Sequence, residues 1–151
     1  MNPDRRTVLR GALAALGAAT VVSPASAAPR TALARLDELA VGVAKAVAWP
    51  TPQHPVLLVR LGRPATGGVG EHRDIVAFSQ LCTHQGCPVA FVDGRFRCPC
   101  HFSQFDPAVE GRCYQGPAHH DLPRVLLEVE GDTVYATGMV GLPWGRTESP
   151  A

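Results

Sequence analysis

The chain has 151 residues, of which 46% are hydrophobic and 18% are charged, and its formal net charge at neutral pH is +1. This length suits one domain with a single core and is too short for two ordinary domains. A charge so close to zero argues against a nucleic-acid partner and against a membrane surface recognised through a polybasic segment.

The N-terminal segment has the features of an export signal. Residues 4–10 contain paired arginines and resemble the twin-arginine export motif; an apolar stretch at 11–22 and the small residues Ala25-Ser26-Ala27 follow, as in a signal peptide with an A-x-A cleavage site. This stretch of about twelve residues is shorter than the roughly twenty that a membrane-spanning helix needs. We therefore expect residues 1–27 to direct export by the twin-arginine route to the periplasm, with membrane association if the signal is retained.

The remainder has the pattern of a β protein. Short apolar or β-branched runs predict strands at residues 45–49, 56–61, 75–78, 90–92, 125–129 and 134–137. Turn signals separate them, and Gly131-Asp132 predicts a tight hairpin between the last two strands. Residues 62–73 are expected to form an exposed loop, and the nearest approach to a helix is a turn at 33–39. We find no internal repeat.

Two cysteine- and histidine-containing segments carry the chemistry. They are Cys82-Thr83-His84-Gln85-Gly86-Cys87 and Cys98-Pro99-Cys100-His101-Phe102-Ser103. In each, a histidine follows a cysteine by two or three residues, so that a tight turn can direct a thiolate and an imidazole to one face. Zinc sites also use such residues, but usually as paired C-x2-C units. A thioredoxin-like dithiol needs C-x-x-C, which this spacing does not provide. The pattern favours an iron–sulfur centre, with a zinc-binding module as the alternative.

The pattern C-T-H-x-G-C followed by C-P-C-H resembles the cluster-binding segment of Rieske proteins whose ligand loops are joined by a disulfide. The resemblance covers about residues 82–122. It implies one [2Fe-2S] cluster per chain, in which Cys82 and Cys98 bind one iron while His84 and His101 bind the other, more exposed iron.

The same resemblance implies a disulfide between Cys87 and Cys100, for which an exported protein has the necessary oxidising environment. It also implies the Rieske fold, an all-β antiparallel sandwich that forms a base domain with an inserted cluster-binding subdomain. We accordingly assign residues 28–147 to the Rieske domain and residues 148–151 to a tail.

Four residues resemble family positions that surround the cluster. Ser103 matches a serine whose hydroxyl donates a hydrogen bond to a bridging sulfide, and Phe105 stands where quinol-oxidising relatives usually carry a tyrosine. Gly116-Pro117 resembles the start of the proline loop that covers the cluster. The fifth cysteine, Cys113, is expected to pack as a small apolar residue beneath that loop.

Two further segments, residues 121–127 and Gly141-Leu142-Pro143-Trp144-Gly145-Arg146, resemble the small Rieske subunits of arsenite oxidases. This resemblance implies an electron-transfer subunit without a substrate-converting site or a small-molecule substrate of its own. Its partners would be a large molybdopterin-containing catalytic subunit and a cytochrome c or similar acceptor. The alternatives are the Rieske subunit of a quinol–cytochrome c oxidoreductase and that of another oxyanion-processing complex, such as an iodate reductase.

Overall fold

The computed structural model describes residues 30–149, so the predicted export signal lies outside the described residues. Within this range all strand pairs are antiparallel, and the one helical element is a 3-10 turn at Leu36–Glu38. None of its helices is long and apolar enough to cross a membrane. The described strands are β1 (Thr31–Arg35), β2 (Ala44–Ala48), β3 (Pro55–Arg60), β4 (Ile75–Ser79), β5 (Ala90–Val92), β6 (Arg95–Arg97), β7 (Gln104–Asp106), β8 (Arg112–Gln115), β9 (Arg124–Glu130) and β10 (Thr133–Val140).

Six of these strands form the base sheet, in the order β1-β10-β9-β4-β3-β2. Strands β3 and β4 lie in its interior, and their apolar runs are buried on both faces. Because side chains alternate along a strand, successive residues enter two different cores. Leu57 and Phe78 join one core, which extends into the inserted unit, whereas Leu58 and Ala77 join the core of the base.

The predicted hairpin at Gly131-Asp132 is confirmed, because Glu130 of β9 pairs with Thr133 of β10 across a two-residue turn. Strand β9 also pairs directly with β4. The chain between these two neighbouring strands therefore leaves the base sheet and returns to an adjacent position.

The chain between β4 and β9 forms a second sheet, in the order β5-β6-β7-β8. We call this region the cluster unit. Its strands have only three or four residues. Phe96 and Phe105 are completely buried, and the Phe96 ring centroid lies 5.4 Å from that of Phe78 in the base. This arrangement confirms the predicted all-β antiparallel class with an inserted unit.

Two local predictions are confirmed in outline and refined in detail. The segment expected to be a helical turn contains the end of strand β1 and the 3-10 turn Leu36–Glu38. Residues 62–73 form the predicted, mostly exposed hairpin loop between β3 and β4, but Ala65 is buried, and the Thr66 backbone N–H donates to the Ala108 carbonyl at 2.9 Å. This loop therefore packs against the cluster unit, a long-range contact that its own glycine-rich sequence does not encode.

Candidate metal centre

The first cysteine- and histidine-containing segment forms a closed loop between β4 and β5. Leu81 and Pro88 form an isolated bridge at its base. The Cys82 N–H donates to the Cys87 carbonyl at 2.9 Å, and the Gly86 N–H donates to the Cys82 carbonyl at 2.8 Å. These bonds fold the loop so that Cys82 is completely buried while His84 is half-buried.

Gly86 is needed at this turn for two reasons. Its φ of +74° lies in the left-handed region that glycine adopts without strain. A Cβ at this position would also collide with the Trp144 indole, whose edge lies directly against the loop. The segment after β10 therefore contacts the first loop at a site that only glycine accommodates.

The second segment forms the loop between β6 and β7. The Cys98 N–H donates to the Ser103 carbonyl at 2.9 Å, and the Phe102 N–H donates to the Cys98 carbonyl at 3.1 Å. Cys98 is 2% exposed, whereas His101 is exposed. Each loop thus places its cysteine inside and its histidine further out.

The predicted ligand side chains come together from these two loops. The ring centroids of His84 and His101 are 4.7 Å apart, with the rings nearly perpendicular. Burial raises the pKa of the Cys82 thiol, and the neighbouring Cys98 thiol raises it further, while the His84 backbone N–H and the Ser103 hydroxyl oppose this rise. The two imidazoles therefore lie against each other, and the two thiols are neighbours on the buried side of the loops.

One atom of this site lacks the partner that its burial requires. Among the described residues, His84 Nδ1 is a buried nitrogen without a hydrogen-bond partner. A buried polar atom left unpaired destabilises the protein, so such atoms in native structures call for an explanation. A bound iron would satisfy this nitrogen and would favour the thiolate form of the buried cysteines. The residues present therefore fit a [2Fe-2S] cluster held by two thiolates and two imidazoles, and the individual ligand assignments stay predictions.

A different trio of sulfur atoms does not form a ligand set. The Sγ atoms of Cys87, Cys98 and Cys100 lie within 4.8 Å of one another. Cys87 and Cys100, however, form a disulfide with their Cα atoms 6.5 Å apart, and bonded sulfurs offer no thiolate. The disulfide expected from the family resemblance is thus present, and it links the two ligand loops beside Cys98.

A third loop, after β8, covers the site. The Ser103 hydroxyl, which is completely buried, accepts a hydrogen bond from the Ala118 N–H at 3.1 Å. A Cβ at Gly116 would collide with the Ser103 backbone, so only glycine permits this approach. Pro117 is exposed on the outer side.

Cys113 lies beneath this covering loop. Its thiol donates to the Ala118 carbonyl at 3.3 Å, and the residue packs against the core that contains the predicted ligand cysteines. Burial raises the pKa of this thiol. These contacts agree with the expectation of a small packed residue.

Sequence reasoning named Thr83, Phe102 and Trp144 but missed two contacts and one backbone conformation at the site. Trp144 contacts Gly86, and the Thr83 hydroxyl donates to the His120 carbonyl at 2.6 Å, which joins the first loop to the covering loop. Phe102 has a φ of +62°. The first two contacts span large sequence separations and leave no local signal. The third could have been suspected, because an apolar residue occupies a tight metal-binding turn.

The comparisons with known proteins agree with this geometry. The model of the Rieske [2Fe-2S] domain matches residues 32–129. The chain is 37% identical over 131 residues to iodate reductase subunit IdrB of Denitromonas iodatirespirans, which covers 82% of this chain and 69% of that subunit. It is 39% identical to the subunit of the same name from Pseudomonas sp. strain SCT, covering 77% of this chain and 63% of that subunit. The chain thus spans about two thirds of the length of these relatives.

A solved structure with a similar fold is the soluble domain of Rieske protein II from Sulfolobus acidocaldarius. The TM-score is 0.69, with 23% identity, over 83% of this chain and 86% of that chain. The site and the fold together define an iron–sulfur protein. The chain belongs to the Rieske [2Fe-2S] family, and its cofactor is the [2Fe-2S] cluster.

Proposed function

We propose that this chain is the Rieske electron-transfer subunit of a periplasmic molybdenum oxidoreductase that acts on an oxyanion, with arsenite oxidase as the first candidate. A large molybdopterin-containing subunit would convert the substrate, and this chain would relay electrons from it to a cytochrome c or similar acceptor. The proposal rests on the fact that the site has a buried side and an exposed side. Both predicted ligand cysteines are buried, whereas His101 is exposed. A redox centre with one edge at the surface can exchange electrons with a docked partner.

The bound cluster supplies one-electron chemistry. The residues of the chain hold and shield it. Cys82 and Cys98 belong to the apolar core that Phe96 and Phe105 fill, which excludes water from the inner side. The disulfide fixes the two loops to each other, and His84 and His101 present the outer side.

A second candidate is iodate reduction, in which electrons would run from an external electron donor through this chain to the catalytic subunit. It is favoured by the similarity to the IdrB subunits, which extends over 82% of this chain in one case. The two candidates share this subunit's task and differ in the direction of electron flow.

The test is isolation of the chain with its partner from the periplasmic fraction, using a C-terminal affinity tag. We expect a molybdenum-containing subunit to co-purify and the purified complex to show the EPR signal of a reduced Rieske cluster after reduction. For an arsenite oxidase, arsenite alone should reduce the oxidised cluster. For an iodate reductase, iodate should reoxidise a chemically reduced cluster while arsenite has no effect.

Three results would contradict the proposal. Recovery with a cytochrome b and quinol oxidation would indicate the quinol–cytochrome c oxidoreductase alternative. Recovery of a monomer from the cytoplasm would contradict both the proposed association with a catalytic subunit and the predicted export. A colourless, EPR-silent chain containing zinc would contradict the cluster itself.

A further inference from the structure

Phe102, in the second ligand loop, combines two unfavourable features. It is 71% exposed, more than any other large hydrophobic residue among residues 30–149. Its φ of +62° lies in the left-handed region, which disfavours residues with a Cβ and especially bulky ones. Glycine would adopt this backbone without strain and would expose no apolar surface.

The hydrogen bonding of the loop explains the backbone conformation of Phe102, but it does not explain why the residue carries a large apolar side chain. The Phe102 N–H donates to the Cys98 carbonyl at 3.1 Å, which closes the turn that carries His101. The turn therefore needs a left-handed residue at this position whatever its side chain. A strained residue at a functional site calls for a functional explanation.

The surroundings of Phe102 point to a protein partner. We define the cluster tip as residues 82–90, 98–104 and 113–118. The disulfide and the Ala118-to-Ser103 hydrogen bond join these three loops. Although 18% of the chain is charged, the cluster tip contains no Asp, Glu, Lys or Arg; charged side chains reach it beside β8, where Arg95 lies over the Tyr114 ring and Asp121 accepts a hydrogen bond from the Cys113 N–H. Depletion of charge around an exposed aromatic residue is typical of the core of a protein–protein interface.

This lack of charge also distinguishes between two kinds of partner. Encounters between proteins that meet and separate rapidly gain speed from complementary charges. A surface of low charge around an exposed aromatic residue provides little such attraction and suits a contact that stays formed, since permanent interfaces are the more hydrophobic ones. The cluster tip therefore fits the catalytic subunit better than a diffusing electron acceptor.

We propose that Phe102 is the anchor residue with which the cluster tip docks into an uncharged apolar pocket on the catalytic subunit. This proposal rests on the proposed function, because that function supplies the partner. Burial of Phe102 in the complex offsets both the exposure and the backbone strain of the free chain. Docking at this residue places the catalytic subunit next to His101, the exposed side of the cluster.

The test uses Phe102→Gly, which removes the anchor and relieves the backbone strain. The tagged full-length variant and the untagged unaltered chain are co-expressed with the catalytic subunit, and the two forms compete for it. We expect at least about tenfold weaker association of the variant, as for an anchor residue at an interface. Its EPR spectrum should be unchanged, and its thermal midpoint should be equal to or higher than that of the unaltered chain.

Three further variants give the matched comparisons. Phe102→Asn, which tolerates the left-handed backbone, should also lose association, while Phe102→Leu should restore much of it. Val92→Ala is the control, because Val92 is 41% exposed and leads into the hairpin turn away from both ligand loops. It should associate normally. Association of the unaltered chain should change by less than about twofold between low and high salt, since no charged pair contributes at the tip.

The outcomes separate this proposal from the proposed function. If the unaltered chain binds the catalytic subunit and Phe102→Gly binds it equally well, the anchor is wrong while the proposed function stands. A steep loss of association with salt would likewise contradict an uncharged contact. If no molybdenum-containing subunit binds the unaltered chain, the proposed function fails, and the docking proposal fails with it.

Discussion

The base sheet and the cluster unit are stabilised in different ways. In the base, β9 and β10 have seven and eight residues, and every residue of β4 is buried. The strands of the cluster unit have three or four residues. Strands this short provide few ladder hydrogen bonds and little alternating apolar surface.

Other contacts compensate in the cluster unit. Phe96 packs edge-on against Phe78 and Phe91, the disulfide joins the ligand loops, and Ser103 accepts a hydrogen bond from the covering loop. Small β units commonly need covalent or metal links of this kind. The base should therefore fold without iron, whereas the cluster unit should depend on its disulfide and its cluster.

The largest expected effect is loss of the cluster on substitution of a predicted ligand. His84→Ala and Cys82→Ser each leave one iron without a full ligand set, so both variants should lack the visible and EPR spectra of a Rieske centre. The far-ultraviolet circular dichroism of the base should persist. Removal of iron from the unaltered chain with a chelator should have the same two consequences.

His72→Ala is the matched control for His84→Ala. His72 is exposed in the loop between β3 and β4 and is not among the predicted ligands, so the variant should keep a normal spectrum. A normal spectrum in His84→Ala would disprove the ligand assignment. Loss of all secondary structure on iron removal would disprove the independence of the base.

The next largest effect should come from the disulfide. Cys87 and Cys100 are 13 residues apart in sequence, and a loop of that size is worth roughly 3 kcal/mol in the chain-entropy model. The double variant Cys87→Ala, Cys100→Ala retains every predicted ligand but should assemble its cluster poorly and release iron faster on heating. The decay of visible absorbance with time measures this. An unchanged cluster lifetime would mean that the other loop contacts suffice.

The difference between the two regions also explains what could be predicted from sequence. Strands β3, β4, β9 and β10 have apolar runs long enough to show their pattern. Strands β6, β7 and β8 were missed, because three or four residues are too few to display an alternating pattern. Those strands form because Phe96 and Phe105 enter a core shared with the base. Local sequence does not contain that core.

The candidate site shows the reverse pattern. Its predicted ligands were found because tight turns require fixed spacings, which a sequence displays directly. The contacts of Thr83 with His120 and of Trp144 with Gly86 could not be predicted, because they join segments that meet only after both regions have folded. The ligands of the site can therefore be predicted from local sequence, whereas the contacts that hold the ligand loops in place depend on the complete fold.

A smaller effect is expected for the side chains next to the cluster. The Ser103 hydroxyl is expected to donate to a bridging sulfide of the cluster, and a hydrogen bond to a cluster sulfur favours the reduced, more negative state. At about 1–3 kcal/mol per such bond, its loss in Ser103→Ala should lower the midpoint potential by roughly 40–130 mV. Phe105→Tyr should raise the potential by a similar amount if its new hydroxyl reaches a ligand sulfur.

Ser103→Thr is the control for this prediction, because it keeps the hydroxyl and should stay near the potential of the unaltered protein. Potentials are measured by redox titration monitored by EPR. Equal potentials in Ser103→Ala, Phe105→Tyr and the unaltered protein would disprove the role of these hydrogen bonds.

The smallest effect concerns the contact between the two regions at Trp144. This residue follows β10 of the base and lies against Gly86 of the first ligand loop, yet it is 45% exposed, so Trp144→Ala should cost less than truncation of a fully buried tryptophan. Gly86→Ala should cost more, because it introduces both a collision and a strained φ. In the double variant the collision disappears and the strain remains. A double-mutant cycle on thermal unfolding should therefore give a coupling of about 1 kcal/mol; strict additivity would show that Trp144 does not support the loop.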